Sequence, residues 1–219
     1  MFARISMWLM IAAVGAVCSC APAQGDLQDG ADAASPSAEV GARPMTILVT
    51  PKQMLRQKVY SYDHISATAE RVRLVGEPFA EALRIVLADM PDNFWEVQTI
   101  VPNYSAVAEG DVLMAEFYVR AVETEDESGQ VLLSVYFEDA GPPWDKSLLH
   151  HAKADGRWRH YLLPFEAKRD YAVGKALFCF GLGHARQTLE LAGVRLVNYG
   201  SDVALVDLPC KDGTLLARD

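Results

Sequence analysis

From Met45 onward, apolar side chains recur at every second position in short runs, and no stretch of any length sustains the 3.6-residue period of an amphipathic helix. A chain patterned this way must bury one face of many strands at once, which requires layered sheets. The runs are Thr46–Thr50, Arg71–Val75, Ala82–Leu87, Trp95–Val101, Val112–Glu123, Val131–Glu138, Arg157–Leu163, Ala176–Leu182, Thr188–Leu191 and Val194–Tyr199. Turn residues separate them: Pro91-Asp92-Asn93, Glu109-Gly110-Asp111, Asp126 to Gly129, Gly141-Pro142-Pro143, Asp155-Gly156 and Ala192-Gly193. The expected class is all-β, an antiparallel β-sandwich over residues 45–219, with no internal repeat.

Residues 1–20 read differently. An Arg near the start, an apolar stretch from Met7 to Val17 and then small residues make an export signal, and two processing sites compete. Ala21-Pro22-Ala23 has the A-x-A form of a general signal peptidase site. Val17-Cys18-Ser19-Cys20 resembles a bacterial lipobox, in which Cys20 would be lipidated and hold the protein to a membrane surface without crossing it. The lipobox is the expected one, which places the protein in a bacterial cell envelope. Residues 21–44, rich in Ala, Gly, Ser, Pro and Asp, read as a flexible tether. The formal charge of −9 would repel a phosphate backbone, so nucleic acid is not an expected partner. With Cys18 removed and Cys20 lipidated, Cys179 and Cys210 remain, either paired or as two separate thiols.

Side-chain parity singles out two of the runs. Leu113, Ala115, Phe117 and Val119 fall on one side of the first, with Met114, Glu116, Tyr118 and Arg120 on the other. Val131, Leu133, Val135 and Phe137 alternate with Leu132, Ser134, Tyr136 and Glu138 in the second. A hairpin through the intervening Glu/Asp/Ser/Gly turn would collect Glu116, Tyr118, Arg120, Ser134, Tyr136 and Glu138 on one face. Rings beside carboxylates and a guanidinium suit a sugar, by stacking and by paired hydrogen bonds to its hydroxyls. An ordinary exposed face with cross-strand Tyr and Glu–Arg pairs is the alternative.

The run Phe94-Trp95-Glu96-Val97-Gln98, then Val107 to Asp111, then Phe117 and Arg120, resembles the W-x-x-Q, Gly-Asp and F-x-x-R pattern of carbohydrate-binding modules of the family 4/9 type. Pro143-Trp144-Asp145-Lys146-Ser147, Trp158 to Phe165, Tyr171 to Gly174 and Phe180 to Gly200 continue the likeness, which spans roughly residues 79–209. Such modules precede the barrel of some bacterial xylanase-like enzymes of glycoside hydrolase family 10. The resemblance implies a galactose-binding-like jelly roll that holds a polysaccharide or oligosaccharide, xylan- or β-glucan-like, without cleaving it. Carried over, it implies contacts from Trp95, Gln98, Trp144, Lys146 and Gln187. The segment that helps bind a structural calcium ion in family members is not recognisable here, although Glu190 matches an acidic position near the last strand. No other cofactor is expected.

Two alternatives belong to other classes. One is an envelope module that recognises another protein. The other is a small glycan hydrolase using Glu116 and Glu138, which the shared face would bring together as the carboxylate pair that such chemistry needs. No barrel follows, and no nucleophile-elbow, P-loop or dinucleotide motif is present. His150-His151 does not read as a metal pair, because adjacent residues of a strand point to opposite faces.

Overall fold

The computed structural model describes residues 45–215; the export signal, the tether and Cys20 lie outside them. Twelve strands are present among these residues: β1 (Thr46–Val49), β2 (Tyr60–Ser61), β3 (Ala67–Arg73), β4 (Glu81–Leu87), β5 (Val97–Pro102), β6 (Val112–Thr124), β7 (Val131–Asp139), β8 (Lys146–Ala154), β9 (Arg159–Glu166), β10 (Ala176–Gly181), β11 (Gln187–Gly200) and β12 (Lys211–Leu215). They form two antiparallel sheets. One runs β12-β9-β6-β11-β4-β3, with β1 also pairing β11; the other runs β2-β5-β10-β7-β8. The architecture is the antiparallel β-sandwich that the patterning predicts.

The core lies between the sheets. Leu113, Phe117 and Val119 of β6 and Val131, Leu133, Val135 and Phe137 of β7 are buried in one cluster with Tyr161, Phe178, Phe180 and Leu189. Phe117 lies flat on Tyr161 at 4.8 Å and edge-on to Phe180 at 5.3 Å, so the two layers interdigitate through rings.

The parity of β6 and β7 is as read from the sequence, but their pairing is not. β6 is bonded to β9 and β11, and β7 to β8 and β10, so the turn over residues 125–130 crosses between sheets instead of closing a hairpin. Parity says which side of a strand is apolar; it does not say whether two apolar sides lie in one sheet or face each other across a core. The polar sides of the two strands therefore point out of opposite faces of the sandwich.

Three further differences have local causes. The segments on either side of Ala192-Gly193 form one strand, β11, because Gly193 at φ +61° makes a bulge in the ladder to β6 where a turn was expected. β8 escapes the pattern since its inner side carries Leu148, His150, Ala152 and Ala154, with no β-branched residue to mark it. β2 and β12 are short; β2 is exposed, as are Lys211 and Asp212 at the start of β12.

Gln187, expected to contact a ligand, joins the sheets. From β11 its Nε2 donates to the carbonyls of Leu132 (2.7 Å) and Leu182 (2.9 Å), and its Oε1 accepts from the N–H of Leu132 at 2.9 Å. With both amide N–H groups committed to backbone carbonyls and the side chain buried, it is turned to the interior and not to a sugar. Gln187→Leu is expected to lower stability by about 2 kcal/mol, since it strands those backbone groups in the interior. A shift in urea midpoint worth under a quarter of that would contradict this role.

Candidate functional site

The outer face of the five-stranded sheet is built from three cross-strand rows. Register aligns Tyr60, Gln98, Gly181, Ser134 and His151 in the first. Ile100, Cys179, Tyr136 and Leu149 make the second, and Pro102, Leu177, Glu138 and Lys146 the third. Successive rows are two residues apart along each strand, about 6.7 Å, so the face is about 13 Å from the first row to the last.

Two tryptophans stand near its ends. Trp95 follows Phe94 in a single helical turn before β5, packs edge-on against it at 4.9 Å and is 48% exposed. Trp144 ends the Pro142-Pro143 loop between β7 and β8, at φ +64°, and is 42% exposed. Lys146 donates to the carbonyl of Trp144 at 3.1 Å and to Glu138, tying this loop to the third row.

Phe94 decides what the first row can do. Its ring fills the space where a Cβ on Gly181 would stand, with Cδ2 only 2.5 Å from that point, and stacks on His184 at 5.6 Å. It also meets Tyr136 edge-on at 5.8 Å, while Lys146 Nζ sits 5.3 Å from the centre of the same Tyr136 ring. Tyr136 is thereby only 1% exposed, and its hydroxyl donates to Gln98 Oε1. Expected as an exposed stacking ring, Tyr136 instead supports the floor and orients the Gln98 amide. Sequence reasoning missed Phe94, whose partner, the small residue Gly181, was the only available signal.

Burial dominates the electrostatics. Glu138 is 7% exposed, and desolvation raises its carboxyl above the ordinary range although Lys146 opposes this. The Tyr136 hydroxyl and the Cys179 thiol beside it are raised for the same reason. Cys179 is buried and Cys210 exposed, and both are free thiols. Ser134 Oγ lies 2.8 Å from both His151 Nδ1 and His184 Nε2. Burial, then the neighbouring His151, lowers the affinity of His184 for a proton; burial also lowers that of His150, against the pull of Asp212.

Both imidazoles are bases held low in the fold. The stability they contribute is complete above the ordinary imidazole range and is lost as pH falls through their depressed values. Thermal midpoints should therefore fall between about pH 8 and pH 5, and less steeply in His184→Phe. A variant slope equal to the parent's would remove His184 from this account. Glu138 works in the opposite sense, its cost being relieved as it gains a proton.

Glu116, Tyr118 and Arg120, expected on the same face as Tyr136 and Glu138, lie on the far side of the sandwich. This separation also prevents Glu116 and Glu138 from flanking one glycosidic bond, which removes that pair as a catalytic site. Arg120 is part of an ion network: its Nε donates to Glu190 at 2.8 Å and its Nη1 to Glu77 at 2.6 Å, and its guanidinium lies 4.7 Å from the centre of the Trp158 ring. Arg84 donates twice to Glu190, at 2.6 and 3.0 Å, and Trp158 Nε1 donates to Glu77 at 3.1 Å. Glu190 is thus held by two guanidinium groups and does not fit a calcium ion, which would meet both positive charges. Among the described residues no group of three His, Cys, Asp or Glu is placed to hold a metal. His150 faces Tyr161 and Asp212 while His151 faces Ser134, so the neighbours do point apart. No helix among these residues is long and apolar enough to cross a membrane.

No protein-family model and no curated protein matches the sequence. Solved structures do match in fold. A carbohydrate-binding module, CBM4, aligns with a TM-score of 0.50 and 16% identity over 64% of this chain and 84% of that one. An arabinose-bound GH51 α-L-arabinofuranosidase aligns with a TM-score of 0.51 and 11% identity, over 71% of this chain but 28% of that one. The N-terminal cellulose-binding domain of Cellulomonas fimi β-1,4-glucanase C aligns with a TM-score of 0.46 and 18% identity, over 64% and 86%. The chain has the two-sheet β-sandwich fold of a carbohydrate-binding module.

Proposed function

We propose that the outer face of the five-stranded sheet binds a polysaccharide or oligosaccharide of the xylan or β-glucan type without cleaving it. The observation that carries this reading is the arrangement of that face: two exposed indoles near its ends, with Gln98, Glu138 and Lys146 held between them on a rigid floor that includes exposed Leu149. Indoles cover the apolar faces of sugar rings, and the fixed amide, carboxylate and ammonium groups supply directed bonds to hydroxyls. The length of the face suits a short stretch of chain. The protein does this as an exported lipoprotein, with Cys20 acylated and residues 21–44 extending the module from a membrane surface.

Native gels cast with xylan, barley β-glucan or hydroxyethylcellulose test the binding. At least one glycan should retard the protein, and retardation should be lost in Trp95→Ala and Trp144→Ala. No retardation at glycan levels that report millimolar dissociation constants would overturn the reading and favour recognition of another envelope protein. Cys20→Ser should move the protein from the membrane to the soluble fraction; unchanged partitioning would reject the anchor.

A further inference from the structure

On the other side of the molecule, a groove of about 450 Å³ opens over the seven-stranded sheet. Its floor is Glu116, Tyr118, Gly193 and Arg195; Phe79, from the β3–β4 connection, and Leu55 are among the residues that wall it. Glu116 and Arg195 stand directly opposite each other on β6 and β11, yet they form no ion pair. Glu116 instead meets His160 Nε2 at 3.1 Å. Arg195 is exposed and makes no hydrogen bond or ion pair among the described residues.

Tyr118 stacks on His160 at 4.1 Å and packs against Phe79 at 4.6 Å, which fixes both rings at the groove. Gly193 makes this possible: a Cβ there would lie 2.9 Å from Tyr118 Cδ2 and 3.2 Å from Phe79 Cε1. The volume is within the usual range for small ligands, about 300–1,000 Å³. Charges balance, since Glu81 is bridged to Arg71 at 3.3 Å and the Glu116 carboxylate is offset by the Arg195 guanidinium. An anionic ligand would gain nothing from that balance. A neutral polyol would, because carboxylate and guanidinium side by side can accept from and donate to adjacent hydroxyls while an aromatic wall covers a ring face.

We infer that this groove is a second saccharide site, taking the terminal residue of a neutral glycan. It takes its ligand class from the function proposed above but uses none of the same residues. With sites on opposite faces, one molecule would bridge two glycan chains, and binding to a dense polymer would gain from the linkage.

Amide shifts of the ¹⁵N-labelled protein, titrated into the millimolar range with cellohexaose, xylohexaose and mannohexaose, test the inference. Shifts should cluster at Glu116–Tyr118 and Gly193–Arg195, persist when Trp95 and Trp144 are both replaced by Ala, and weaken about tenfold in Arg195→Ala. Arg195 is exposed and bonded to no other described residue, so that variant should fold normally. No response there to any of the three sugars, or a response that Arg195→Ala leaves within twofold, would overturn the inference. Shifts confined to the groove would support it and reject the five-stranded face; shifts confined to that face would do the reverse.

Discussion

Glu190→Ala is expected to lower stability by about 3–5 kcal/mol, a large share of the roughly 5–15 kcal/mol that holds a domain folded. Glu190 is 0% exposed and lies on β11 between Arg84 of β4 and Arg120 of β6, so one carboxylate neutralises a guanidinium on each neighbouring strand. Among the described residues, its removal leaves Glu77 as the only acid bonded to Arg120, and leaves Arg84 with none. The loss would exceed that of any exposed pair, such as Arg186 with Glu125, which is worth under about 1 kcal/mol. Urea unfolding of parent and variant measures the difference; a loss below about 1 kcal/mol would show that the network contributes little. Glu190→Gln should recover part of it, because the amide oxygen still accepts from one guanidinium.

Gly181→Val should cost about 3 kcal/mol and also abolish glycan retardation. Phe94 occupies the notch that the missing side chain leaves, so a branched residue there must evict the ring. Once displaced, Phe94 no longer backs Trp95, covers Tyr136 or stacks on His184. Gly156→Ala is the control, since nothing lies within 4 Å of the added carbon and its effect should be within about 0.5 kcal/mol. Normal binding by Gly181→Val would mean that Phe94 and Trp95 do not shape the proposed site.

Alternation alone made the strands of the core legible, because every second side chain of β6 and β7 enters the core between the sheets whatever the strands pair with. It could not reveal the partner of each strand, so residues of one inferred face were divided between two. Tyr136 shows a second limit. Parity correctly placed its ring outside the central core, yet Phe94, from the helical turn before β5 and far away in the chain, covers it. The roles of Gln187 and Glu190 were hidden for a related reason: isolated polar residues in a strand look the same whether they face a ligand or staple two strands. Trp95, Trp144, Gln98 and Lys146 came from family likeness and not from alternation, and they lie around one sheet face.

The position of β11 has a consequence for how the chain assembles. It is the partner of β6, β4 and β1, and it comes late, at residues 187–200. Until that segment emerges, β4 and β6 have no common neighbour, although β3–β4, β6–β9 and the five-stranded sheet draw only on earlier residues. Long-range pairing of this kind is slow, so the seven-stranded sheet should stay in two separate parts until β11 is made, and consolidate in a concerted step once it joins them.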